Sequence, residues 1–114
     1  MVRSAKPVNV IRGEVWLVAL DSTIGSEIRK TRPGVIVSPP EMHNYLRTVM
    51  VAPMTIGGRP APFRIPVSFQ GKNGLILLDQ MRALDKQRLV RRLGEIERKT
   101  IRATLVRLRD VFAE

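Results

Sequence analysis

Residues 12–38 read RGEVWLVALDSTIGSEIRKTRPGVIVS, an apolar run, a polar loop and a second apolar run that begins just after Thr31-Arg32-Pro33. The first run, residues 13–20, is short and rich in β-branched and aromatic side chains, which favours a strand over a helix. Val35-Ile36-Val37 is a compact β-branched run headed by Pro33 and Gly34 and reads as a second strand. The loop between them carries Ser26, Glu27, Arg29, Lys30, Thr31 and Arg32, many donors with a single carboxylate. Pro33 fixes its own φ and pushes Arg32 towards an extended conformation, so the Arg32 guanidinium sits where the loop enters a rigid strand.

The same reading extends along the chain. Pro39-Pro40 stops the second strand, and residues 41–46 form a short helical turn holding His43, the only histidine, expected to be solvated. Residues 48–54 are a third strand that delivers Thr55 to a loop, with Pro53 marking an edge or an irregularity because it has no N–H for a ladder. Phe63, Ile65 and Val67 alternate with polar residues or proline, Lys72-Asn73-Gly74 supplies a turn, and residues 75–78 form a buried strand, together a hairpin. Asp79 to Arg82 continue that strand, residues 85–88 make a capped turn, and residues 89–96 add another short strand. Ile101, Leu105, Leu108 and Phe112 recur at helical spacing in a terminal amphipathic helix. The expected fold is mostly β with a C-terminal helix, a small antiparallel barrel or half-barrel with the helix outside it. One domain spans 12–114, and residues 1–11 are a flexible N-terminal extension.

Composition narrows the function. At 114 residues and 44% hydrophobic content the chain can build one core unaided, and aromatics are scarce enough to make that core aliphatic. The absence of cysteine excludes a disulfide framework, a thiolate metal site and a cysteine nucleophile. The carboxylates are dispersed and there is one histidine, so neither a metal site nor a cofactor is expected. No segment approaches the roughly 20 apolar residues that span a bilayer, and the start lacks a secretory hydrophobic region, which points to a soluble, cytoplasmic protein with no membrane partner. Twenty Lys and Arg against ten Asp and Glu give a net charge of +10 and a field that attracts polyanions, with nucleic acid first.

RGEVWLVALD, GSEIRKTRPGVIVSP, VMVAPMT and GLILLDQMRALDK, followed by a basic terminal helix, occur in an order that resembles the MazF/PemK family of toxin endoribonucleases. The resemblance runs from about Arg12 to Phe112. It implies an SH3-like barrel of the MazF/PemK/CcdB type and a homodimer with RNA crossing the dimer face. The implied activity is metal-independent, sequence-specific cleavage of single-stranded mRNA by 2′-hydroxyl attack, leaving a 2′,3′-cyclic phosphate and a 5′-hydroxyl. The implied partner is a MazE-like antitoxin with an acidic disordered segment, in a bacterial cytoplasm. Some relatives place a catalytic histidine where this chain has Ser26 and a catalytic arginine where it has Leu77, which sets this chain nearer the MazF branch.

Arg32 and Thr55 are the first catalytic candidates. A guanidinium stabilises charge developing at a phosphorane and can donate to the leaving oxygen, but it is a poor base at neutral pH. The Thr55 hydroxyl can donate to a phosphate oxygen, or simply bond its own backbone. Glu27 is a candidate base or an RNA contact, and Asp79 a weaker catalytic support. Ser26, Arg29, Lys30, Thr31, Arg59, Arg64, Gln80 and Arg82 are candidate RNA contacts. Two rival readings use the same residues: a non-catalytic RNA-binding module, and a gyrase-directed toxin of the CcdB type.

Overall fold

In a computed structural model, residues 9–20 and 30–114 are described. The strands are β1 (Glu14–Ala19), β2 (Thr31–Ile36), β3 (Thr48–Ile56), β4 (Arg64–Phe69), β5 (Lys72–Leu77), β6 (Arg82–Asp85) and β7 (Leu89–Glu95). A short helix α1 (Pro40–Tyr45) joins β2 to β3, and α2 (Arg98–Val111) ends the chain. The sheet runs β4-β5-β3-β2-β1-β7, with β6 added on β3, and every pairing is antiparallel. It curls around the core as an open, barrel-like sheet with β4 and β7 at the two ends of the order, the half-barrel form of the expected fold.

The core is aliphatic, as the composition requires. Val15, Val35, Ala52, Met54, Ile65 and Ile76 belong to one buried cluster, against which Ile101 and Leu108 of α2 pack. Val18, Ile36, Val49, Val51, Leu84 and Leu89 belong to a second, flanked by Trp16. The helical stripe fades at its end: Ile101, Leu105 and Leu108 are half-buried, whereas Phe112 follows the last turn and is 73% exposed.

β3 is the longest strand, and it changes partner. On one edge it pairs with β2, Gly34 facing Pro53 and Ile36 facing Val51. On the other, residues 48–51 pair with β6 and residues 54–56 with β5. Pro53 sits in the gap between those two partners, where it interrupts no ladder. Its proline therefore marks an irregularity in a central strand and not an edge.

Several local expectations are corrected. The β4–β5 turn is Gln70-Gly71, both at positive φ (52° and 78°), as a type I′ connection requires. Asn73-Gly74, expected as the turn, lies inside β5. Beyond Leu77 the chain does not extend but makes a 3-10 turn at Leu78–Gln80, and Arg82–Asp85 then forms the unforeseen β6. The turn at Lys86–Arg88 is capped by Asp85, whose carboxylate accepts from the Gln87 N–H at 2.8 Å.

His43 is buried, not solvated. Its Nδ1–H donates to the Val10 carbonyl at 2.9 Å, and its Nε2 lies 2.6 Å from Ser38 Oγ, which in turn accepts from the Met50 N–H at 2.9 Å. The Ser38 hydroxyl thus joins the His43 ring to the backbone of β3, and the ring joins it on to Val10. Val10 is itself in the second core cluster, so the packed chain begins ahead of Arg12.

A buried carboxylate braces β1 against β7. Glu14 is 6% exposed and accepts from the Ile11 N–H (3.0 Å), Trp16 Nε1 (3.1 Å) and Arg92 Nε (2.8 Å). Burial pushes its pKa up, but those three donors together with the Arg92 charge outweigh burial and hold it below the ordinary value. A depressed carboxylate contributes stability that is present above its unfolded pKa of about 4.3 and is lost as pH falls through the folded value. The wild-type melting temperature should therefore fall as pH drops below ~4.3, and Glu14→Gln should be less stable at pH 7 and lose less on acidification. A parallel pH–melting series for both proteins checks this; equal acid sensitivity would remove Glu14 as the source.

Candidate active site

Arg32 is the second residue of β2, paired with Val18 of β1, and Thr55 is the penultimate residue of β3. The Gly34–Pro53 register, continued by two residues, sets Arg32 across from Thr55, and the two line one cleft of about 470 Å³. Both are partly exposed. The sheet register thus brings together the two first catalytic candidates, 23 positions apart in the chain. The Thr55 hydroxyl donates to the Gly57 carbonyl at a long 3.3 Å, so its local backbone bond is real and weak.

The remaining candidates divide. Lys30 and Thr31 are exposed at the start of β2, next to Arg32. Ser26, Glu27 and Arg29 lie outside the described residues. Arg59 is exposed in the loop after β3, Gln80 is exposed in the 3-10 turn and Arg82 is exposed at the start of β6; none of the three lines the cleft. Arg64 and Asp79 face each other across the hairpin instead of the cleft. Arg64 Nε donates to Asp79 Oδ1 at 3.1 Å and Nη2 to Oδ2 at 2.9 Å, a two-pronged pair. The Arg64 hydrogen bonds hold the Asp79 carboxyl below the usual range, and Asp79 raises the Arg64 guanidinium in return. In this conformation the two residues bind each other at the surface, and neither lines the cleft. Leu77 is buried, with 3% exposure, and belongs to the packing of β5.

Sequence reasoning missed the opposite wall of the cleft. Val67, Phe69, Gln70, Lys72 and Asn73 come from the β4–β5 hairpin and Leu93 from β7. The only signal available for them was the hairpin itself, whose Asn-Gly turn was set three residues too late. Among the described residues no group of three or more His, Cys, Asp or Glu is placed to hold a metal ion, and no helix is long and apolar enough to cross a membrane.

An open antiparallel half-barrel with an arginine and a threonine at one register position, in a chain of charge +10, defines a small basic β protein whose cleft presents a guanidinium and a hydroxyl together. Residues 11–112 match the family described as PemK-like, MazF-like toxin of type II toxin-antitoxin system, and the chain belongs to that family. The endoribonuclease PemK of Escherichia coli is 37% identical over 107 residues, covering 89% of this chain and 80% of that protein. The endoribonuclease MazF of Staphylococcus epidermidis is 38% identical over 88 residues, 72% of this chain and 73% of its own. These near-equal identities do not separate the two branches.

Solved structures agree on the fold. MazF from Deinococcus radiodurans superposes with a TM-score of 0.74 at 21% identity, covering 90% of this chain and 94% of that one. A mycobacterial endoribonuclease in complex with its cognate antitoxin gives 0.76 at 21% identity, covering 90% and 93%.

The floor of the cleft depends on one close approach. Gly74 of β5 pairs with Ile56, and a Cβ there would lie 1.7 Å from the Thr55 carbonyl oxygen. Backbone cannot yield as a flexible side chain can, so Gly74→Ala must pry β5 from β3 at Thr55. We expect a loss of roughly 3 kcal/mol, read as a melting temperature lower by at least about 10 °C. A variant melting within a few degrees of wild type would show that the two strands are not held this tightly.

Proposed function

We propose that this chain is the toxin of a type II toxin-antitoxin pair, a sequence-specific endoribonuclease acting on single-stranded RNA. The observation that carries this reading is the meeting of Arg32 and Thr55 in one cleft, in a member of a toxin family with relatives that are endoribonucleases. The substrate supplies its own nucleophile. Its 2′-oxygen forms a bond to phosphorus as the bond to the 5′-oxygen breaks, the 2′-proton passes to a base, and the 5′-oxygen takes up a proton. The products are a 2′,3′-cyclic phosphate and a 5′-hydroxyl.

Arg32 stabilises the charge that accumulates on the non-bridging oxygens and can donate towards the departing 5′-oxygen, while Thr55 donates to the same phosphate. Glu27 takes the role of base in this scheme. No step calls on a metal, because charge stabilisation comes from the guanidinium. Lys30 and Thr31 lead the strand towards the flanking phosphates. The protein works in the bacterial cytoplasm as a homodimer, silenced by an antitoxin whose acidic segment covers the basic cleft.

Purified protein incubated with long unstructured RNA in EDTA should give discrete cuts bearing 5′-hydroxyl ends. Arg32→Ala should lower the rate by about 10²–10³-fold, and Thr55→Val, which keeps the shape and removes the hydroxyl, by roughly 10-fold or more. Intact RNA with folded wild type across a wide range of sequences would leave a non-catalytic binding module. In that case Arg32→Ala would reduce binding and lower its salt slope by about 1.

A further inference from the structure

Helix α2 carries its positive charge in places that oppose its own stability. Arg98 and Lys99 open the helix, where the macrodipole disfavours cations, and no acidic residue shares the first turn. Glu97 at the N-cap makes no side-chain cap bond. Arg98 and Arg102 are four residues apart, the spacing at which like charges repel on a helix. Arg109 returns to the same side about three turns after Arg98. Thr104 is buried and Ile101, Leu105 and Leu108 are half-buried, whereas Arg98, Arg102 and Arg109 are exposed. Neither these three nor Lys99 makes an ion pair among the described residues, in contrast to Arg64, Arg92 and Arg107. Several local penalties kept on one face mark a face that answers to something other than folding.

We propose that this stripe is a second contact surface for the RNA, a track that holds the phosphate backbone of the strand outside the cleft, so that long single strands are bound in preference to short ones. The proposal rests on the ribonuclease reading above. At 1.5 Å per residue the stripe from Arg98 to Arg109 is about 16 Å long. It begins five residues after Leu93, which lines the cleft, so at most about 18 Å of chain separates the two. A repeating phosphate backbone asks for charge at intervals and not for an enclosing cavity, and guanidiniums supply it with paired donors. The row ends at Phe112, which is 73% exposed, beside an open hollow flanked by Arg12 and Arg109. Cations with an aromatic ring at hand are the equipment of sequence-tolerant single-strand binding. A second copy of this chain does not fit here, because a two-fold contact would set the stripe against itself.

The test compares Arg98→Gln/Arg102→Gln with the charge-matched Arg47→Gln/Arg91→Gln, whose arginines are exposed but lie off the helix. Glutamine suits a helix about as well as arginine, and melting temperatures check that both proteins fold. Binding of a long unstructured RNA and of a short oligonucleotide spanning one cut is followed by fluorescence anisotropy over a salt series, with Arg32→Ala added to every protein to prevent cleavage. Relative to the control pair, the helix pair should bind long RNA about 10-fold more weakly, with a salt slope lower by roughly 1.4, about 0.7 for each lost phosphate contact. Binding of the short oligonucleotide should match the control. If the two pairs bind long RNA equally, the helix contributes only to the general field and the track is overturned. It is overturned equally if the helix pair loses as much on the short oligonucleotide as on the long RNA. Cleavage by the proteins that keep Arg32 is assayed alongside: uncut RNA would remove the ribonuclease reading, while the binding comparison still decides the track.

Discussion

The backbone hydrogen bonding of β3 is the constraint on which the rest of the molecule depends. Three strands register against it, two of them in succession along one edge. That succession gives one strand two partners along a single edge, in a sheet that stays open between β4 and β7. It also fixes the cleft: β2 brings Arg32, β3 itself brings Thr55, and β5 brings Lys72 and Asn73, all measured from the same ladder. A site made this way has little freedom to drift, since a slip of one residue would turn a whole strand inside out.

Positive charge is abundant, yet part of it is engaged within the fold. Arg12 donates to the Val37 carbonyl, Arg88 to Ala19, Arg92 to Glu14, Arg64 to Asp79 and Arg107 to Asp110. A net charge of +10 therefore describes the field that draws a polyanion in and says little about which cations touch it. The division of labour is visible in burial. The carboxylate of Glu14 is enclosed and held by three donors, whereas Arg32 stands partly open in the cleft.

Much of the fold was legible because it depends on local chemistry. The β-branched runs at 15–19 and 35–37, the alternation from Phe63 to Val67 and the stripe from Ile101 to Leu108 all answer to side-chain period, which a sequence displays directly. What escaped depends on contacts between distant residues. His43 reads as a solvated histidine until Ser38 and the Val10 carbonyl, 33 residues away, are found against its ring. Asn73-Gly74 is a strong turn signal, but here the glycine is needed for the approach of Thr55, and Gln70-Gly71 takes the turn in spite of the strain at Gln70. The site followed the same rule. Arg32 and Thr55 could be nominated from the Arg-Pro junction and from family likeness, while the pairing of Arg64 with Asp79 and the apolar hairpin wall needed the register to be known.

The strand order has a consequence in time. β1 lies between β2 and β7, and Glu14 is separated from Arg92 by 78 residues of chain. At a synthesis rate of about 5–20 residues per second, the ribosome adds Arg92 roughly 4–16 s after Glu14. Through that interval one edge of β1 is bare, and the Glu14 carboxylate lacks the partner that makes its enclosure tolerable. The strands that carry Arg32 and Thr55 are already made by then, but the edge that supplies Leu93 to the cleft is not. The newborn chain thus cannot complete its cleft until β7 has been made, and that strand acts as the latch on β1.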